Sequence, residues 1–203
     1  MHIDFYLDYR SPYAFLAATQ LGQLGVEIVH KPLDVVAVMK AVNNQPSPLC
    51  PPKAKYALGD AMRWAKHYGV DFAPNRALLG ALRAGVIDGA LLPRVALAAQ
   101  GLGVFEQAND ALFRAVWASD VDLATEDGRA AFLDSHGLPK SLWDVAADPD
   151  IALKLASLND EAAARGVFGV PTFFLGEEMF FGNDRLTFIK VQIDATRLAG
   201  AAA

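Results

Sequence analysis

Apolar and polar positions alternate from the start of the chain. Ile3, Phe5 and Leu7 fall on one face and His2, Asp4, Tyr6 and Asp8 on the other, which predicts a strand over 2–8. After a turn at Tyr9 and Arg10, Ser11-Pro12 reads as a helix start. The hydroxyl can accept an orphan backbone N–H, and proline's fixed φ suits the first helical position. The helix is predicted from Pro12 to Leu24, with Ala14, Ala17, Ala18 and Leu21 at helical spacing and Gly25 at its end. Val26, Ile28 and His30 then alternate against Glu27, Val29 and Lys31 before Pro32, a second strand.

Residues 43–52, NNQPSPLCPP, are too rich in proline and asparagine for regular structure and predict a loop. Beyond it Ala57, Ala61, Trp64, Ala65 and Tyr68 trace one face of a helix ending at Gly69. The stretch 78–100 is apolar, with Pro93 expected to start a new helix or kink the old one. Phe105, Ala108, Leu112 and Val116 form a further stripe, and 126–136 a shorter one before Gly137. Asp148-Pro149 repeats the cap-then-proline signal for a helix running to Gly166.

After Gly166 the pattern changes to V-P-T-F-F-L-G-E-E-M-F-F-G, two aromatic-rich runs around Gly176, Glu177 and Glu178 that predict a β-hairpin. Asn183 is expected to cap a last helix over 184–198, followed by an alanine-rich tail that frays. The order β-α-β, helices, α-β-β-α predicts an α/β thioredoxin-like fold with a large inserted all-helical domain. Residues 1–35 and 148–203 would form the thioredoxin-like unit and 36–147 the insertion.

Composition narrows the function classes. With 203 residues, 53% of them hydrophobic, the chain can bury one substantial core. A net charge of -5 with scattered Lys and Arg argues against a nucleic-acid partner, although a few local cations can still serve a small acidic substrate. No run approaches the ~18 apolar residues of a membrane span. Asp4 and Asp8 interrupt any signal-peptide pattern. Cys50 is the only cysteine, which excludes an internal disulfide. A cytoplasmic location is expected. His2, His30, His67 and His136 show no ligand spacing, so no metal is expected.

Four places can carry chemistry. Ser11 is at least an N-cap; at the strand-to-helix turn of a thioredoxin fold its hydroxyl can also donate to a thiolate brought by a cofactor, stabilising the charged form. Val170-Pro171 either starts a strand or is cis, which would offer the Val170 backbone to an extended peptide such as the cysteinyl unit of glutathione. Gly182-Asn183-Asp184-Arg185 is either a simple helix cap or a site where Asn183 and free N–H groups receive a carboxylate and Asp184 an amino group, the pair found on a γ-glutamyl end. Lys53, Lys55, Asp60 and Arg63 form a charged helix face. It is either solvated or, if the insertion covers the cleft, presents Lys53 to a carboxylate of glutathione or of substrate.

The segments DFYLDYRSPYAFLA at 4–17, K-x-K-Y-x-x-x-D-x-x-R-W-A at 53–65 and FGVPTFFLGEEMFFGNDRL at 168–186 resemble the 2-hydroxychromene-2-carboxylate isomerases, relatives of kappa-class glutathione transferases and of DsbA-like oxidoreductases. The resemblance spans nearly the whole chain. It implies glutathione as cofactor, Ser11 hydrogen-bonded to its sulfur, Val170 before a cis Pro171 on the cysteinyl backbone, Asn183 and Asp184 on the γ-glutamyl group, and Lys53 on a carboxylate. The substrate would be a small aromatic carboxylate, oriented by Lys53 or Arg63, with Asn75 a weaker candidate because 71–85 matches the family less well. A homodimer is also implied.

The activity so implied interconverts 2-hydroxychromene-2-carboxylate and trans-o-hydroxybenzylidenepyruvate in bacterial degradation of naphthalene-like aromatics. A kappa-type transferase or peroxidase would use the same thiolate on another electrophile, and a non-catalytic glutathione-binding module would turn over nothing. A dithiol oxidoreductase fits poorly, because the turn Arg10-Ser11-Pro12-Tyr13 contains no cysteine. Cys50 is expected to be passive.

Overall fold

The structure, a computed structural model, describes residues 1–201. Its centre is a four-stranded sheet in the order β2-β1-β3-β4. Strand β1 (His2–Leu7) pairs in parallel with β2 (Glu27–Pro32) through helix α1 (Pro12–Ala18). The hairpin β3 (Thr172–Leu175) and β4 (Glu178–Phe181) returns from the far end of the chain, and β3 runs antiparallel to β1 with Phe5 opposite Phe173. Gly176 makes the hairpin turn at φ +61°, a left-handed conformation that suits glycine.

The period-two alternation becomes two buried faces. Ile3, Phe5 and Leu7 are wholly buried on one, where the Phe5 and Phe173 rings stack at 5.0 Å. Burial of each such side chain contributes about 1.5–3 kcal/mol. Tyr6 and Phe174 face the other way, into a smaller cluster with Leu33, Val38 and Ala162. On that side α2 (Val35–Ala41) packs against the long helix α9 (Pro149–Ala164), which is coordinated in space by the same apolar cluster. Helix α2 has no strong periodic signal in the sequence; Asp34 caps it by accepting the Val36 N–H at 3.1 Å.

The helical middle comprises α3 (Pro51–Tyr68), α4 (Arg76–Arg83), α5 (Leu91–Gly101), α6 (Phe105–Trp117), α7 (Glu126–Ser135) and α8 (Leu142–Ala146). Its buried side chains join those of β1, β3 and α1 in one core that continues to Ile189 and Ile193 of the last helix, α10 (Leu186–Ala201). Among the described residues no helix is long and apolar enough to cross a membrane. The end of the alanine-rich tail, Ala202 and Ala203, lies outside the described residues.

Three elements depart from expectation. Helix α1 stops at Ala18 and a 3₁₀ turn at Leu21–Leu24 replaces its predicted last turns. Thr19 donates its hydroxyl back to the Leu16 carbonyl at 2.7 Å, Gln20 N–H bonds Ala17, and Gly22 weakens the helix further. The break in the apolar stretch 78–100 falls at 84–90, where Gly85 takes φ +71°. Pro93 takes the first of its two expected roles: it lies in the first turn of the new helix α5, where a missing N–H costs no helical bond, and there is no kink. The last helix begins at Leu186, after a 3₁₀ turn at Asn183–Arg185 that no side chain caps.

Candidate active site

The chain leaves β1 through Asp8, Tyr9 and Arg10 into Ser11, and each of these residues is tied down. Asp8 is fully buried, yet its carboxylate accepts from Arg10 N, Nε and Nη2 at 2.8, 3.0 and 2.5 Å and from Val35 N–H at 2.9 Å. Arg10 Nη2 also donates to Asp34 Oδ1 at 2.5 Å, so one guanidinium lies between two carboxylates. Burial alone would lower the Arg10 pKa, but Asp8 and Asp34 outweigh it and the group is held charged. A buried charge with its hydrogen-bonding positions filled is tolerated, whereas an orphaned one is costly. A Cβ on Gly89 would run into the Arg10 guanidinium, so the backbone before α5 closes over this pair.

Tyr9 is anchored from α6 at both ends. Its hydroxyl donates to Asn109 Oδ1 at 2.8 Å, and its carbonyl accepts the Trp117 indole N–H at 2.7 Å. The Tyr9 pKa is raised well above its ordinary value by burial, then by the charges of Asp8 and Glu106.

Ser11 caps α1: its Oγ accepts the Ala14 N–H at 3.2 Å. The same oxygen donates its proton to the carbonyl of Val170, also at 3.2 Å. The Val170-Pro171 bond is cis, and the Pro171 carbonyl is engaged by Gly182 N–H at 3.0 Å. Among the described residues the Val170 carbonyl accepts from Ser11 alone. The serine turn thus meets the proline loop, and the 183–185 turn packs on α1.

Asn183 does not cap the last helix. It is 3% exposed and donates from Nδ2 to the Tyr68 hydroxyl oxygen at 3.2 Å, while that hydroxyl donates to the Asn183 carbonyl at 3.3 Å. Burial raises the Tyr68 pKa. The first N–H groups of the turn, like those of any helix start, have no partner within the turn itself. Asp184 remains partly exposed and pairs with Arg185 at 3.3 Å. Gly182 sits at φ +103°, and a Cβ there would clash with Asp184 Oδ1 at 2.6 Å, so this glycine makes room for the carboxylate.

Lys53, exposed in the first turn of α3, lines a groove with Tyr13, Ser47, Pro52 and Tyr56. Tyr13, on α1 two residues beyond Ser11, donates to Asp60 Oδ2 at 3.0 Å; burial and then that carboxylate raise its pKa. Arg63 is exposed and lies 3.7 Å from Asp60. Asn75 stands apart. It is 6% exposed, its amide donates to the carbonyls of Ala115 and Val121 at 3.0 and 2.9 Å, and its oxygen caps α4 by accepting Leu78 N–H at 3.0 Å. Every polar group of Asn75 is thus engaged within the chain, and the residue serves the fold.

Sequence reasoning passed over Tyr13, Tyr68 and the Asp8–Arg10–Asp34 cluster. The hydroxyls were a signal, since a buried tyrosine needs a partner. The partners themselves are distant in sequence and follow only from the fold. Cys50 is free and half-buried at the position before α3. Among the described residues no group of three or more His, Cys, Asp or Glu side chains is placed to hold a metal.

This geometry has relatives. The family model of the DSBA-like thioredoxin domain matches residues 2–194. A 2-hydroxychromene-2-carboxylate isomerase of Pseudomonas putida is 30% identical, over 94% of this chain and 93% of that protein. Glutathione S-transferase kappa 1 of Caenorhabditis elegans is 23% identical over 92% of this chain and 88% of its own. A solved 2-hydroxychromene-2-carboxylate isomerase structure superposes with a TM-score of 0.85 at 25% identity, covering 100% of this chain and 98% of that one. The chain belongs to the DSBA-like thioredoxin family and, within it, to the 2-hydroxychromene-2-carboxylate isomerases.

Proposed function

We propose that the protein is a glutathione-dependent cis–trans isomerase that interconverts 2-hydroxychromene-2-carboxylate and trans-o-hydroxybenzylidenepyruvate, or a close homologue, in bacterial aromatic catabolism. The observation that carries this reading is a hydroxyl, Ser11 Oγ, at the turn where a dithiol relative would carry sulfur, facing the carbonyl before a cis proline. A site built this way must receive its thiol from outside. The kappa-class relative's name supports glutathione as that thiol.

The residues present suit such a peptide. Val170 offers a carbonyl that a cysteinyl N–H can take, as an added strand would. The Ser11 hydroxyl, which now donates to that same carbonyl, can turn to a thiolate placed beside it. The 183–185 turn and Asp184 suit a γ-glutamyl carboxylate and ammonium, and Lys53 a second carboxylate. Held by Val170, the 183–185 turn, Asp184 and Lys53, glutathione would supply the thiolate that a cis–trans change at a conjugated double bond needs, with no net redox change. The chain's own part is to fix geometry: Arg10, Asp8 and Tyr9 immobilise the turn, so Ser11 needs little reorganisation. Tyr13, Tyr56 and Lys53 form a wall suited to an aromatic carboxylate, with Arg63 at its edge.

Residues 36–147 act in this reading as the helical insertion that walls the cleft, with 1–35 and 148–203 as the thioredoxin-like unit. The active species is a homodimer in the cytoplasm, where an unpaired Cys50 and a thiol cofactor both stay reduced.

The test is the absorbance of 2-hydroxychromene-2-carboxylate with enzyme and catalytic glutathione, followed by assay of the glutathione left. Conversion with full recovery of glutathione supports the isomerase. Stoichiometric loss would instead establish the kappa-type transferase, the reading favoured by the C. elegans relative.

A further inference from the structure

Tyr68 closes α3, one residue before Gly69 turns left-handed at φ +68°. Its ring packs on Trp64 of the same helix, centroids 5.3 Å apart, and its hydroxyl reaches the turn at 183–185. There it makes two bonds with one residue, donating to the Asn183 carbonyl at 3.3 Å and accepting from Asn183 Nδ2 at 3.2 Å. Among the described residues no other side chain from outside 182–187 hydrogen-bonds this turn, and no side chain caps it. The turn is tied in its other direction by backbone: Gly182 N–H donates to the Pro171 carbonyl at 3.0 Å, next to the Val170 carbonyl that accepts from Ser11. Tyr68 thus pins, from α3, the turn that carries Asp184.

We infer that Tyr68 is a positioning residue for the γ-glutamyl end of glutathione: acting through Asn183, it fixes the 183–185 turn and sets the preference for glutathione over a thiol that lacks that end. The inference rests on the proposed reading that this cleft takes glutathione, and adds a residue of α3 to it. Asn183 then has an indirect part. Its side chain is buried and its amide donates to Tyr68, so it holds the turn rather than the ligand. Asp184, partly exposed, is the side chain of the turn that a ligand ammonium can reach. A binding group works only when it is held within about 0.5 Å of its productive place by neighbours that are themselves fixed. Two bonds from one hydroxyl, to the backbone and to the amide of the same residue, fix both the position of Asn183 and its orientation.

The test titrates two thiols calorimetrically into the full-length protein: glutathione, and cysteinylglycine, which is glutathione without its γ-glutamyl residue. Tyr68→Phe keeps the ring and removes both bonds; it should raise the Kd for glutathione about tenfold and that for cysteinylglycine by less than about twofold. Asn183→Ala keeps the bond from Tyr68 to the backbone carbonyl, so it should weaken glutathione about threefold and cysteinylglycine by less than about twofold. Added to Tyr68→Phe, it should cost less than about a further twofold, because both changes break one device. If Tyr68→Phe does not fold, Asn183→Ala alone carries the comparison of the two thiols. An unchanged glutathione Kd in Tyr68→Phe, equal weakening of both thiols in either variant, or full additivity of the two variants would overturn the inference while leaving glutathione as the cofactor. Absence of glutathione binding to the wild type would overturn the cofactor reading and this inference together.

Discussion

Ser11 and Val170, 159 positions apart in the chain, share one hydrogen bond of 3.2 Å from hydroxyl to carbonyl. Both groups belong to the proposed glutathione cleft, and in the free protein each satisfies the other. In the proposed reading a peptide N–H arriving at Val170 would compete for the carbonyl that the serine proton now takes.

Ser11→Ala should lower kcat about 100-fold or more, the loss seen when a donor to a developing anion is removed. Glutathione affinity should change by less than about threefold, because the backbone of Val170 remains. The variant should also lose about 1 kcal/mol of stability with its cap. Steady-state kinetics beside calorimetric titration separate these effects, and wild-type turnover would end the assignment of Ser11.

Lys53→Met should raise the Kd for glutathione about tenfold, as expected for one charge-assisted contact, and leave the fold intact because the side chain is exposed. Added salt should weaken binding to the wild type more than to the variant. Equal salt dependence in both would place Lys53 outside the cleft.

Asp8→Asn removes a buried charge that serves Arg10 and Val35 together. A loss of about 3 kcal/mol in urea unfolding is expected. A change below about 0.5 kcal/mol would show that Asp34 alone suffices to hold Arg10.

Asn75→Ala should cost about 1–3 kcal/mol through the lost cap and two amide bonds. The kinetic constants should remain within about twofold, which distinguishes a fold residue from a substrate contact. A KM for substrate raised about tenfold in a stably folded variant would return Asn75 to the site.

His30 gives a pH dependence of defined sign. Burial lowers its pKa below the ordinary value of 6.5, and the charge of Glu106 only partly opposes this. The unfolded chain therefore binds a proton on this ring more readily than the folded one, so the His30 contribution to stability is complete above about pH 6.5 and is lost as pH falls through the folded pKa. Replacing His30 by Gln should flatten the decline of Tm between about pH 7 and pH 5. An unchanged decline would mean that other groups carry it.

Local patterns in the sequence found what local physics decides. The alternation of Ile3, Phe5 and Leu7 became a buried face, Ser11-Pro12 became a helix start, and the aromatic runs around Gly176 became a hairpin. What escaped them depends on long-range partners. Asn183 looks like a cap in sequence, but Tyr68 of α3 draws its side chain inward. Asp8 looks like the polar end of a strand, yet Arg10 and Val35 N–H allow it to be wholly buried. The early end of α1 was also hidden, because Thr19 competes for a backbone carbonyl that the apolar spacing does not report.

The grip of α6 on Tyr9, through Asn109 and Trp117, has an evolutionary reading. The serine is aimed partly from outside the sheet that carries it, by a helix that holds the side chain and carbonyl of Tyr9 two residues before it. Substitutions drifting into α6 are then felt at Ser11 as altered orientation while every cleft residue stays the same. A chimera that grafts the helical segment of a dithiol relative onto this chain inherits that relative's aim, and transplanting the cleft residues alone does not carry the activity with them.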